Sequence, residues 1–138
     1  MKIFILVTFL IFLVIISVTD FKTRMIYDKI LIPFVAAGIF FDASGLLVPI
    51  DAAIFYAGGG FFLMFAIFKI SRGGLGGGDV KFCAALGFWL GEKIFEAIFF
   101  SSILAAIFAL LAAIKFRDLK FELPFGPFLA ASALINFF

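Results

Sequence analysis

Ser71-Arg72-Gly73-Gly74-Leu75-Gly76-Gly77-Gly78-Asp79-Val80-Lys81 is a run of glycines closed by one carboxylate and set between two long apolar segments. A glycine inside a helix costs about 1 kcal/mol relative to alanine, so the run predicts an interruption between helices. Glycine also lets the backbone come close to another chain segment or a ligand. Irregular backbone is excluded from the lipid-exposed core of a bilayer unless it is buried in protein or lines a water-filled cavity. An acid at such a place is a candidate functional group.

The segments on either side justify thinking of a bilayer. The chain has 138 residues, of which 66% are hydrophobic and 14% charged. A soluble domain is about half apolar and about a quarter charged. The composition therefore predicts an all-α, polytopic membrane protein. The 24 phenylalanines suit lipid-facing and helix-packing surfaces. The net charge of +2 is small and its basic residues are scattered, which gives no footprint for nucleic acid. With no His and only one Cys, Cys83, an internal disulfide and a Cys/His zinc site are excluded. Cys83 is read as a small packing residue. No metal or other cofactor is expected, and hydrolytic chemistry must use Asp, Glu, Ser, Thr or Lys.

Six spans are expected. The first runs from about Ile3 to Asp20; no small-residue cleavage site follows it, so it reads as a retained span and not a signal peptide. The second runs from about Ile30 to Leu47. A loop with Pro49 and Asp51 leads to the third, about Ala52 to Ile70. The fourth, about Val80 to Leu90, is shorter than the usual minimum of about 17 residues, so it must tilt, thin the bilayer or extend into its flanks. Gly91-Glu92-Lys93 turns the chain into the fifth, about Ile94 to Ile114. After the charged stretch Lys115 to Glu122, Pro124 opens the sixth, which ends at Phe138; proline suits the first turn of a helix. No internal repeat, linker or attached soluble domain is seen, so residues 1–138 read as one membrane-embedded domain.

Lys22, Arg24, Lys29, Lys69, Arg72, Lys81, Lys115, Arg117 and Lys120 then lie in alternate loops, and of the 11 basic residues only Lys2 and Lys93 fall on the other side. The positive-inside rule puts these loops in the cytoplasm and both termini outside. Asp20 ends the first span and Asp79 begins the fourth, so both lie at the cytoplasmic side. Packing of helices 1 and 4 would bring them together. Two carboxyl groups sharing a water can cleave a peptide bond: the ionised one takes a proton from the water and the protonated one donates to the carbonyl oxygen. Asp79 sits at a helix N-terminus, where the dipole favours an anion, and Asp20 near a C-terminus. The shared proton is therefore expected more often on Asp20.

Three stretches carry a family resemblance. Gly76-Gly77-Gly78-Asp79-Val80-Lys81 fits the Gly-x-Gly-Asp-x-Lys motif of the type IV prepilin peptidases, which include the archaeal preflagellin peptidases. Thr19-Asp20-Phe21-Lys22-Thr23-Arg24-Met25-Ile26 resembles the segment with their first catalytic Asp. Leu123-Pro124-Phe125-Gly126-Pro127-Phe128 resembles their Pro-Phe-Gly-Pro signature. The three occur in the family's order and cover the chain. The resemblance implies a membrane aspartic protease that removes the short basic leader of prepilin-like or preflagellin-like precursors at the cytoplasmic face, just before the precursor's hydrophobic helix. It carries over Asp20 and Asp79 as the catalytic pair, with Gly76, Gly78, Lys81, Pro124, Gly126 and Pro127 as motif and supporting residues. It implies no cofactor, precursor proteins and the lipid bilayer as partners, and a multi-pass location in the inner or plasma membrane. Where the family often has Ile-Pro-Asn, this chain has Ile26-Tyr27-Asp28. The larger bacterial members carry a cytoplasmic insertion with paired cysteines and methylate the new N-terminus. That insertion is absent here, so the resemblance implies the minimal peptidase form without methyl transfer.

Plainer readings stand beside these. Asp79 could be a helix N-cap and Asp20 a juxtamembrane charge. Asp28 reads as a solvated charge or the cap of helix 2. Lys81 could snorkel to the interface, tune Asp79 or hold the glycine loop. Lys22 and Arg24 read first as topology signals and then as leader or lipid contacts. Asp42, Asp51 and Glu92 fall on the external side and should be solvated, and Glu96 could cap helix 5. Asp118 and Glu122 should pair with neighbouring bases. Pro124-Phe125-Gly126-Pro127 either breaks and restarts helix 6 or also shapes a groove for substrate backbone. The glycine run is neither a phosphate loop nor a Gly-x-Gly-x-x-Gly fingerprint, since Asp79 stands where the last glycine would be. Two other functions use the same acids: a presenilin-type intramembrane protease, and a small ion or proton carrier. The first usually has a Tyr-Asp pair deep within a span, whereas Asp20 follows Thr19 at a span's edge.

Overall fold

A computed structural model describes residues 1–72, 74–117 and 124–138. The readings made for Asp118 and Glu122 lie outside them, as do Lys120 and Leu123. The described residues form α-helices and one 3-10 turn: α1 (Lys2–Thr23), α2 (Asp28–Ala43), α3 (Ile50–Ile70), α4 (Gly77–Leu90), the turn Gly91–Lys93, α5 (Ile94–Phe116) and α6 (Gly126–Phe137). No strand is present among them. Lys2–Thr23, Ile50–Ile70 and the run Gly77–Phe116 are long and apolar enough to cross a membrane. Phe62, Phe99, Leu110 and Ile114 are among many large apolar side chains exposed on the surface. An apolar surface that extensive needs a lipid or protein neighbour.

α4 is the central helix. It packs against α2, α3, α5 and α6, and after its first turn every residue is buried except Lys81, Ala84 and Phe88. α3 lies closest: a Cβ on Gly87 would come within 2.4 Å of the Ala57 Cα. Trp89 fixes the other side. Its indole N–H donates to the Phe34 carbonyl at 3.1 Å, and its ring meets those of Phe9 at 5.1 Å and Phe34 at 5.1 Å. Aromatic pairs at such spacing add about 0.5–1.5 kcal/mol each beyond their area burial.

Two details differ from expectation. α4 begins at Gly77, not Val80. Only Gly76 caps it, and two glycines lie in its first turn, where four residues of helix precede Lys81. The first-turn N–H groups have no intrahelical partners, so glycine's helix penalty is felt less there than in the interior. α6 begins at Gly126, so Pro127 and not Pro124 occupies its first turn.

Asp42 corrects the expectation of a solvated acid. It is 3% exposed, because the loop after α2 folds back over it and the Val48 N–H donates to its Oδ1 at 3.1 Å. Its Oδ2 has no partner among the described residues. Asp51 and Glu92 are exposed as expected. Glu96 lies in the first turn of α5, but that helix has no side-chain cap.

The ends of α1, α3 and α5 share a device. Arg24, Arg72 and Arg117 all take positive φ, near 50°, at or just past a helix C-terminus. Left-handed residues commonly stop helices, and a cation there complements the negative end of the dipole.

Candidate active site

Along α1 the buried residues are Ile5, Phe9, Leu13, Ile16 and Asp20. Their spacing of three or four is one face of a helix. Asp20 is thus the last member of the core-facing stripe, and it is only 4% exposed. The backbone N–H of Gly126, the first residue of α6, donates to its Oδ2 at 3.0 Å. A Cβ on Gly126 would lie 2.5 Å from that oxygen, so only glycine permits this approach.

Asp79 is the third residue of α4 and 6% exposed. It is therefore not an N-cap. From the third position an acidic side chain can turn back towards the cap residue, and a Cβ on Gly76 would lie 3.2 Å from the Asp79 Oδ2. Its Oδ1 is buried without a partner among the described residues. Gly78, next to it, lies under the α1–α2 connection: a Cβ there would be 3.1 Å from the Cβ of Ile26.

Asp20 and Asp79 line one cavity of about 510 Å³, together with residues 24–28, Gly76, Gly77, Gly78 and Lys81. Asp20 is close enough for its charge to act on Asp79. The acids do not meet by packing of α1 on α4 alone. Those helices touch through side chains such as Phe9 and Trp89, while α2 and α6 each pack against both. The dipole asymmetry expected to put the proton on Asp20 is reduced: Asp20 lies in the last turn of α1 but also accepts from the N-terminus of α6, while Asp79 lies in the first turn of α4.

Lys81 and Asp28 pair with each other: Nζ lies 3.0 Å from Oδ1 and 3.1 Å from Oδ2. Neither of the plainer readings anticipated this. Asp28 is the first residue of α2 and Tyr27 is its cap, so the pair ties the start of α2 to α4 at the cavity's edge. Met25, Ile26 and Tyr27 also line the cavity; they fall in stretches that carried the resemblance, which gave them no role of their own. Of the Pro-Phe-Gly-Pro stretch, Gly126 reaches an acid directly, while Pro127 shapes the first turn of α6 and Pro124 precedes it.

The class is thus a bundle of apolar helices with two buried carboxyl groups at one cavity, an arrangement capable of acid–base chemistry. The chain belongs to the type IV leader peptidase family, which matches residues 7–110. Among similar proteins is a prepilin leader peptidase/N-methyltransferase of Bacillus subtilis, 37% identical over 142 residues, covering 99% of this chain and 56% of the relative. One of Neisseria gonorrhoeae is 36% identical over 132 residues, covering 91% of this chain and 45% of the relative. One of Escherichia coli is 30% identical over 131 residues, covering 91% and 58%. The chain spans about half the length of the curated relatives it matches. No solved structure matches it.

Proposed function

We infer that the chain is a membrane aspartic endopeptidase that removes the leader of prepilin-like or preflagellin-like precursors, with Asp20 and Asp79 as its catalytic pair. The observation that carries this reading is that two acids far apart in sequence are both buried and both line one cavity. Family membership and the names of the relatives supply the substrate class. The N-methyltransferase part of those names is not extended to this chain.

The ionised member of the pair takes a proton from a water as its oxygen attacks the scissile carbonyl carbon. The protonated member donates to the carbonyl oxygen, giving a tetrahedral diol. As the C–N bond breaks, a proton passes to the leaving nitrogen, so the leader leaves with a carboxylate and the mature chain with a free amine. The buried, unpartnered Oδ1 of Asp79 is an acceptor suited to the water or substrate.

The chain is read as a polytopic protein of the inner or plasma membrane, with six spans and both termini outside. The basic residues of alternate loops support a cytoplasmic position for the cavity. The test is cleavage of a prepilin by the wild-type, Asp20→Asn and Asp79→Asn chains in detergent. Loss in both variants is expected. Intact cleavage in either would remove that acid from the mechanism, and substrate-independent ion flux in proteoliposomes would favour a carrier.

A further inference from the structure

After its first turn α4 is covered by its neighbours except along one stripe, Lys81, Ala84 and Phe88. These residues are three and four apart and so share a face. That face is the floor of a second hollow, of about 430 Å³, between α2, α3 and α4. Its walls are Leu31, Val35, Phe61 and Ala85, with Ile32 on the rim. Asp28 and Lys81 line both this groove and the cavity holding the two acids. The groove is therefore an apolar continuation of the candidate active site, with one ion pair at the junction.

A comparable hollow of about 360 Å³ lies between α1 and α6, lined by residues such as Leu10, Val14, Ala131 and Leu134. It shares no lining residue with the acid cavity and has no charged lining residue. The two grooves offer similar apolar surface, so continuity with the acids distinguishes them.

We propose that the α2–α3–α4 groove holds the apolar segment that follows the scissile bond of the precursor, and that Lys81 and Asp28 mark where its backbone passes from groove to cavity. The proposal rests on the leader-peptidase reading and adds the place where the substrate's membrane segment lies. The chemistry is complementary: the floor and walls are apolar, and the single polar junction lies where a precursor changes from membrane segment to hydrolysable peptide. An extended or helical segment seated along Phe88, Ala84 and Lys81 would run parallel to α4 and point its N-terminal end at Asp79. A lipid acyl chain is the competing occupant.

The test uses the full chain and two substrates: an intact prepilin in detergent micelles, and the same precursor cut to a short peptide ending just past the scissile bond. Ala84→Phe fills the groove floor. It should raise KM for the intact precursor on the order of tenfold or more, the scale on which apolar pockets discriminate, while cleavage of the short peptide is unchanged. Ala131→Phe, in the other groove, should alter neither. A second measurement does not depend on turnover. In an Asp79→Asn chain, cysteine at Ile32, on the groove's rim, should crosslink to cysteines in the precursor's apolar segment, and cysteine at Ala131 should not. Unchanged cleavage of both substrates by Ala84→Phe, equal loss with both, or crosslinking at Ala131 and not Ile32 would overturn the groove assignment, the last two pointing to damage or to the other hollow. A lipid-filled groove would give no crosslink at Ile32 and also overturn it. A wild-type chain that cuts neither substrate would instead overturn the leader-peptidase reading itself.

Discussion

The N–H of Gly126 donates to Oδ2 of Asp20 across 106 residues of sequence. The bond joins the start of α6 to the end of α1, and it exists because residue 126 has no side chain. A methyl there would lie 2.5 Å from the carboxylate oxygen and 2.9 Å from its carbon. Asp20 would have to move away from the cavity it shares with Asp79.

Gly126→Ala should therefore act on turnover more than on folding. Misplacing a catalytic group by about 1 Å costs on the order of a hundredfold. The expected result is a kcat reduced by about that factor, with only a modest drop in the thermal midpoint in detergent from the lost Gly126–Asp20 hydrogen bond. Wild-type cleavage by this variant would show that the Asp20 position is not critical.

If the two acids handle one water, their losses cannot add. Groups that act as a unit give single variants nearly as inactive as the double. Asp20→Asn, Asp79→Asn and the double variant should share the same residual rate. Measured single and double rates whose logarithms sum would mean that the carboxylates act separately, and the shared-water mechanism would fail.

The existence and order of the helices were legible in the sequence because apolar runs are separated by Pro49, the glycine run and Gly91, but their ends were not: α1 runs on to Thr23, α2 stops at Ala43, and α4 and α6 begin at Gly77 and Gly126. The burial of Asp20 was not legible, because α1 is apolar nearly all round and only packing selects Ile5, Phe9, Leu13 and Ile16 as the face that Asp20 continues. The burial of Asp42 was not, because it depends on a loop returning to offer the Val48 N–H. The Lys81–Asp28 pair, 53 residues apart, was hidden for a similar reason. Each charge had a sensible local role, and only tertiary packing joins them. The role of α2 and α6 in bridging α1 and α4 was likewise invisible, since spans of similar apolarity do not announce their neighbours.

That ion pair should matter little to stability. Its side chains are 55% and 60% exposed, and exposed pairs are worth about 0.2–1 kcal/mol in double-mutant cycles. A cycle with Lys81→Ala and Asp28→Ala, read by denaturation in detergent, should give a coupling within that range that shrinks as salt is raised. A larger, salt-insensitive coupling would place the pair in a far less solvated setting.

The same glycine-to-alanine change should have opposite signs at two places in the bundle. Both Gly58 and Gly87 lie inside helices, where alanine is favoured by about 1 kcal/mol. At Gly58 of α3 an added Cβ meets nothing within 4 Å, so Gly58→Ala should stabilise. At Gly87 of α4 it would lie 2.4 Å from the Ala57 Cα and 2.6 Å from its N. Backbone cannot rotate aside as a side-chain tip can, so α3 and α4 must separate. Overpacking of this kind costs about 1–3 kcal/mol and exceeds the propensity gain. Thermal unfolding of the two variants in one detergent should thus move the midpoint up for Gly58→Ala and down for Gly87→Ala. A stabilised Gly87→Ala chain would mean that α3 and α4 are not in backbone contact at Ala57.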